Sequence, residues 1–245
     1  MNADEYENLA NVERDHWYYR GKREFVRRWI SRVRPPQPHD VLLDCGAGTG
    51  QFAAEMSAQC RVMVLDSHEE SLQMLRKRFS GDQVLALAGD EVPLPDDSLE
   101  YVTALDVLEH VPDDQAVVDG FARLLKPGGL AVVTVPASMA LWSDWDVVLH
   151  HFRRYDRADL GALFAASKWE IEALHYTNVP VFPLVWLVRK WRRLFPAKPD
   201  IQGAEHRIPA PWVNRILQGQ FVRLAMRRWP WPFGVSLVLV ARRKG

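Results

Sequence analysis

The chain has 245 residues, with 31 Lys or Arg balanced by 31 Asp or Glu, so its formal charge at neutral pH is zero. That length holds one large domain or two small ones, and the composition is ordinary for a soluble globular protein. No apolar run reaches the roughly 18 residues that a membrane-spanning helix needs, nothing resembles a signal peptide, and Cys45 and Cys60 form no C-x-x-C pair, so both are expected as buried thiols in a reducing cytoplasm.

The neutral total hides an asymmetry. From Val179 to Gly245 there are thirteen Lys or Arg and two acids, a balance of +11; Met1–Asn178 carries −11. A basic C-terminal segment implies an anionic partner or surface.

In chain order, Tyr6–Val33 reads as one or two helices with an aromatic cluster at His16-Trp17-Tyr18-Tyr19. Three prolines in Arg34–His39 end it. Val41–Asp44 is a strand, Gln51–Ala58 a short helix, Val62–Asp66 a second strand and Glu69–Phe79 a helix with Leu72, Leu75 and Phe79 on one face. Strands follow at Val84–Ala88 and Tyr101–Leu105, then a helix at Asp114–Leu125. Lys126-Pro127-Gly128-Gly129 reads as a turn before a strand at Leu130–Val135. Ser138–Tyr155 is loop-rich, Asp159–Ala166 helical and Trp169–Tyr176 a strand. A second insertion, Val179–Trp231, precedes a last strand at Val235–Arg242. Strands alternating with helices predict a parallel sheet covered on both faces, with ligands beyond the carboxyl ends of its strands.

Four acids fall at those ends: Asp44, Asp66, Asp90 and Asp106. The first stands before Cys45-Gly46-Ala47-Gly48-Thr49-Gly50. Glycines at alternate positions allow positive φ and close approach of a ligand to the backbone. A carboxylate beside them repels a pyrophosphate and favours a cationic or hydroxyl-bearing ligand. The spacing also departs from the dinucleotide G-x-G-x-x-G. Asp66, 22 residues after Asp44, can accept the two hydroxyls of a ribose or cap the following helix. Asp90, in Ala88-Gly89-Asp90-Glu91, can accept an adenine amine or be an ordinary loop acid. His110, in Asp106-Val107-Leu108-Glu109-His110, has the unperturbed pKa near 6.5 that suits a general base, and is otherwise a structural hydrogen-bonder.

In order and spacing these segments, with Leu125-Lys126-Pro127-Gly128-Gly129, resemble the class I S-adenosylmethionine-dependent methyltransferases over Asp40–Pro136, and within them the methyltransferase-11-like group. Glu100 stands where that group's turn ends in Asp. The resemblance implies an α/β, Rossmann-like, seven-stranded sheet with N-terminal helices and an inserted helical cap. One domain would span residues 1–245, its core at 40–178 plus a final strand at 233–243, with cap insertions at 137–156 and 179–231. It implies S-adenosyl-L-methionine as cofactor, lined by Asp44, Cys45, Gly46, Gly48, Gly50, Asp66, Ser67, Gly89, Asp90, Glu91, Leu105, Asp106 and His110.

Two flanking motifs narrow the resemblance. His16-Trp17-Tyr18-Tyr19-Arg20-Gly21-Lys22-Arg23 is similar to the H-W-W-F-x-G-R-R opening of a subgroup found with polysaccharide and glycolipid genes. There Trp17 and Tyr18 would form a lid over the cofactor and Arg20 would meet its methionine carboxylate; the alternative is an aromatic helix packed on the core. Ser143-Asp144-Trp145-Asp146 with His150-His151-Phe152-Arg153-Arg154-Tyr155 resembles a second subgroup element. His150, His151 and Asp146 are base candidates. Arg153 and Arg154 could hold an anionic acceptor, or form an Arg–Asp scaffold for the loop.

The implied reaction is methyl transfer to a small-molecule, glycan or lipid-linked acceptor, with oxygen weakly favoured. The alternatives are an RNA methyltransferase using the basic segment and a non-catalytic binding module. Trp and Arg interleave on amphipathic stretches at Phe182–Leu194 and Trp212–Trp229. Such stretches suit a helical cap, an anionic membrane surface or, least well, nucleic acid. The expected location is the cytoplasm, with peripheral contact on the inner face of the membrane.

Overall fold

The computed structural model describes residues 12–87, 91–165, 167–194, 208–227 and 231–245. In chain order the elements are α1 (Trp17–Val33), β1 (Val41–Cys45), α2 (Gln51–Met56), β2 (Arg61–Asp66), α3 (Glu69–Arg78), β3 (Val84–Ala86), β4 (Leu99–Leu105), α4 (Asp114–Leu124) and β5 (Leu125–Pro136). They continue with α5 (Asp144–Val148), α6 (Arg157–Leu163), β6 (Trp169–Thr177), α7 (Phe182–Leu194), α8 (Pro211–Ala225) and β7 (Ser236–Arg243).

The seven strands form one sheet in the order β3-β2-β1-β4-β5-β7-β6. The pairs from β3 to β5 are parallel, and β7 runs antiparallel between β5 and β6. Strand order reverses between β1 and β4, which places a topological switch point at their carboxyl ends.

Side-chain alternation builds the two faces. On one face Leu43, Ala131, Val133, Val135, Leu237 and Leu239 pack with Val118, Phe121 and Leu124 of α4 and Leu160 of α6. On the other, Leu42, Leu130, Val132, Val238 and Val240 pack with α1, α2 and α8. Burial on both faces makes these strands near-continuous apolar runs, which is why they were readable in the sequence.

Helix α1 buries Lys22, Phe25, Val26, Trp29 and Ile30, a stripe at steps of three and four. It lies against α8: Trp29 Nε1 donates to the Ala225 carbonyl at 3.0 Å, and Phe25 meets Phe221 edge-on at 5.5 Å. Asp113 caps α4 by accepting from Ala116 N at 2.9 Å. In α3, Glu69 and Glu70 open the helix and Arg76, Lys77 and Arg78 close it, matching the helix dipole at both ends.

Two segments differ from expectation. Lys126–Gly129 continues β5 instead of forming a separate turn, with Gly128 at φ +79° where the register against β4 shifts. The loop-rich stretch after β5 contains α5, opened by a capping box in which Ser143 and Asp146 each bond the other's backbone N–H. The sequence expectations for Tyr6–Asn11, Ala88, Gly89, Asp90, Ala166, residues 195–207 and residues 228–230 fall outside the described residues.

Candidate functional site

Strand β1 delivers the chain into the glycine loop and α2 opens directly from it. Gly46, Gly48 and Gly50 have φ of +62°, +55° and +73°. A Cβ on Gly46 would lie 2.6 Å from Val107 Cγ2, and one on Gly50 2.6 Å from Phe79 Cε2. At Gly48 it would meet nothing within 4 Å among the described residues. The outer glycines are therefore required by packing, and the middle one faces open space.

Asp66 fixes that loop. Its Oδ2 accepts from Gly48 N at 3.0 Å, with Ser71 Oγ 2.7 Å away; its Oδ1 accepts from Ser67 N at 2.8 Å and His68 N at 3.0 Å. These bonds tie the loop to the start of α3, so Asp66 braces the loop as well as standing at its rim. Asp44 is 3% exposed, and its Oδ1 accepts from Thr103 Oγ1 at 2.7 Å. Burial pushes its pKa from the ordinary carboxylate value up to about 7; Thr103 opposes the shift, and Glu13 and Asp66 add to it. Glu13 reaches the loop from the N-terminal side by accepting from Thr49 Oγ1.

The end of β4 contributes Asp106, held at φ +58°. Its Oδ1 accepts from Thr134 Oγ1 at 2.9 Å and its Oδ2 pairs with Lys22 Nζ. Lys22 also lies under the Tyr18 ring, 4.6 Å from its centroid. Burial alone would lower the Lys22 pKa, but Asp106 and then Tyr18 hold it above its ordinary value, so it stays charged. Burial raises the Tyr19 hydroxyl, which stays neutral. The ends of β1, β2 and β4 thus carry Asp44, Asp66 and Asp106, with a buried lysine paired to Asp106 and an open glycine turn tied to Asp66.

Residues 43–133 match the family model described as a methyltransferase domain. The chain carries a class I S-adenosylmethionine-dependent methyltransferase domain. It is 35% identical over 108 residues to ubiquinone biosynthesis O-methyltransferase of Thiobacillus denitrificans, which covers 42% of this chain and 46% of that one. It is 36% identical over 127 residues to 27-O-demethylrifamycin SV methyltransferase of Amycolatopsis mediterranei, 47% of each chain. The chain spans about half the length of the curated relatives it matches. Among solved structures, its fold is similar to a chain from the complex between the Haloferax volcanii Trm112 methyltransferase activator and a methyltransferase. The TM-score is 0.61 at 19% identity, covering 99% of this chain and 96% of that one.

The methyltransferase domain's residues suit this cofactor chemically. S-adenosylmethionine carries a sulfonium and an ammonium, which the carboxyls Asp44 and Asp106 can balance, and a carboxylate that a buried lysine can face. Lys22 was not among the residues singled out by the sequence; Arg20 was. Arg20 is exposed and Lys22 buried. Two helical positions are about 200° apart, and Lys22 shares its phase with Phe25, Val26 and Trp29. That phase was the available signal.

The aromatic cluster packs on α8, as in the alternative to a lid. Trp17 meets Phe221 edge-on at 5.8 Å and Tyr18 stacks on it at 5.6 Å. Trp17 N donates to Asn214 Oδ1 at 2.8 Å. Tyr18 still borders the site through Lys22. Leu105 is half-buried on the same face, Cys45 is buried with its thiol pushed up by burial, and Ser67 and Glu91 are exposed at the rim.

The loop after β5 supplies a second group. Asp146, 1% exposed, accepts from Ser143 N at 2.8 Å, Arg154 Nε at 2.7 Å and the His151 ring at 2.9 Å, and lies 3.5 Å from Arg189 of α7. Burial opposes ionisation, but His151 and Arg154 outweigh it and hold the carboxyl well below the usual range. Asp146 is therefore an anchor and not the base the sequence suggested. Arg153 and Arg154 take the scaffold alternative: Arg153 pairs with Asp114 at 2.7 Å, and Arg154 bonds Asp146 and the Ala137 carbonyl. His110 meets His151 edge-on at 4.6 Å between centroids. Burial, then His151, pushes the His110 pKa down to about 4, so the ring is neutral at pH 7. His150 is exposed at φ +56°.

The Asp44 shift has a defined sign. A carboxyl with a raised folded-state pKa contributes stability that is complete below the ordinary carboxylate range and is lost as pH rises toward about 7. Asp44→Asn should remove that loss. Denaturant midpoints measured from acid to neutral pH should fall in the parent chain and stay flatter in the variant. Parallel pH profiles would contradict the assignment.

Proposed function

We propose that this chain moves a methyl group from S-adenosylmethionine to an oxygen of a small-molecule, glycan or lipid-linked acceptor. A single domain does this, with the sheet as core and with insertions in sequence at residues 137–156 and 179–231. The observation that carries the reading is the open glycine turn at the switch point, with Asp44, Asp66, Asp106 and Lys22 around it. Two relatives named for O-methylation chemistry support oxygen as the acceptor atom.

The cofactor, when bound, supplies an activated methyl group. The chain's task is to position the acceptor and exclude water, and displacement at a sulfonium needs little more. Asp44, Asp66 and Asp106 hold the cationic and ribosyl parts, and Lys22 faces the methionine carboxylate. Asp146 keeps the 143–154 loop and, through Arg189, helix α7 over the strand ends.

The lipid-linked form of the acceptor rests on α7. Leu184, Leu187, Trp191 and Leu194 recur at steps of three and four and are 58–67% exposed. Lys190 and Arg192 flank this stripe, with Lys190 Nζ over Trp186 at 4.9 Å. Trp212 and Ile216 of α8 are exposed as well. An apolar stripe edged by cations fits the interface of an anionic bilayer on the cytoplasmic side. Among the described residues no helix is long and apolar enough to cross a membrane.

Gly48→Ala tests the cofactor assignment. The new methyl group meets no atom of the described residues within 4 Å, so its cost to the fold is the left-handed strain of about 1–2 kcal/mol. Affinity for S-adenosylmethionine by calorimetry should fall at least about tenfold if the open side is the cofactor's side. Unchanged affinity would remove the cradle from the account.

Liposome co-sedimentation tests the surface. Binding should require anionic lipid, weaken as salt screens it, and drop in a Lys190→Gln, Arg192→Gln, Trp191→Ser variant. Recovery of the protein in the supernatant with every lipid would end the membrane reading. Arg189 is left intact because it anchors α7 to Asp146.

A further inference from the structure

Glu109 is 1% exposed, and neither of its carboxylate oxygens has a hydrogen-bond partner among the described residues. A buried carboxyl in that state is costly unless something else meets it. What lies beside it is two imidazoles. The ligating atoms of Glu109, His110 and His151 all lie within 4.8 Å of one another.

We propose that Glu109, His110 and His151 form a divalent transition-metal site beside the methyl-transfer centre. The backbone holds them together. The Phe152 amide donates to the Glu109 carbonyl at 2.8 Å, which pins the His151 loop to the turn after β4. Tyr155 Oη donates to the Leu108 carbonyl at 3.1 Å from the same loop. Asp146 binds His151 Nδ1 at 2.9 Å, which leaves Nε2 as the ligating nitrogen. A carboxylate behind a histidine is the usual support for a metal-bound imidazole, because it fixes the ring and raises its basicity. Two histidines and one carboxylate suit Zn²⁺, Co²⁺, Mn²⁺ or Fe²⁺ better than Mg²⁺ or Ca²⁺. Three protein ligands leave positions open for outside oxygen.

The proposal deepens the methyltransferase reading and rests on it for its purpose. An acceptor hydroxyl, or two neighbouring hydroxyls, would take the open positions. A hydroxyl on a dication gives up its proton to water more readily than a free one. His110 and His151 then serve as ligands and not as proton acceptors.

Cobalt is the probe, because its visible absorption reports coordination without any assay of activity. The chain is freed of metal with a chelator and titrated with Co²⁺ alone. We expect one ion per chain with absorption bands of a site containing nitrogen ligands. Glu109→Gln and His151→Gln should each weaken binding by at least about tenfold, and His150→Gln should not. Binding of S-adenosylhomocysteine is measured on the same samples. If the cofactor product still binds to every variant, the fold and the methyltransferase reading stand, and the cobalt result judges the metal site alone. Absence of a stoichiometric ion in the parent chain, or equal cobalt affinity in parent, Glu109→Gln and His151→Gln, would overturn the proposal.

Discussion

The site depends on a charge constraint. The fold buries more carboxyl groups at and just beyond the ends of β1, β2 and β4 than it supplies cations to meet them among the described residues. Asp44 and Asp66 are less than a tenth exposed, Glu109 is 1% exposed, and Asp106 joins them at the surface of the same cleft. Taking a carboxylate out of water is costly, and partners determine whether it stays ionised. Asp66 is met by backbone amides and Asp106 by Lys22. Among the described residues Asp44 is met by one hydroxyl, and Glu109 has no hydrogen-bond partner. Those last two sit with pKa values that burial raises. In the proposed reading a sulfonium answers the first and a metal ion the second.

The rest of the fold serves that arrangement. The parallel order from β3 to β5 brings the acids side by side, and the reversal between β1 and β4 opens the crevice between them. Left-handed backbone at Gly46, Gly48 and Asp106 turns the chain away from the strand ends, an arrangement concentrated where function needs it. Asp146 does for the upper loop what Asp66 does for the lower one. Fully satisfied and firmly ionised, it gathers Ser143, His151, Arg154 and Arg189 about one carboxylate. Anchoring acids and poised acids are thus separated by their hydrogen bonds.

Much of this was legible before the structure. The strands read clearly because burial on both faces makes each an apolar run, and the glycine loop with its following acids marked the carboxyl ends. What escaped depended on which way side chains face. Arg20 and Lys22 are equally plausible as a cofactor's counter-ion in one dimension, and only the helical phase of Phe25 and Trp29 separates them. Asp146 resembled a base because it neighbours two histidines in sequence; Ser143-x-x-Asp146 was the better clue, since that spacing is a capping box. The aromatic opening resembled a lid because its partner, Phe221, lies some two hundred residues away. Glu109 drew no attention beside His110, because nothing local tells a buried unpaired carboxylate from a solvated one.

The central claim is that Asp44 is held near half-ionisation to receive a cation, so binding should complete its ionisation. Calorimetry of S-adenosylmethionine binding, repeated in buffers of different ionisation enthalpy, counts the protons exchanged. The account predicts that a fraction of a proton is released near pH 7, where Asp44 titrates, and that this release disappears in Asp44→Asn. Binding without proton release near that pH, or the same release from the variant, would contradict it.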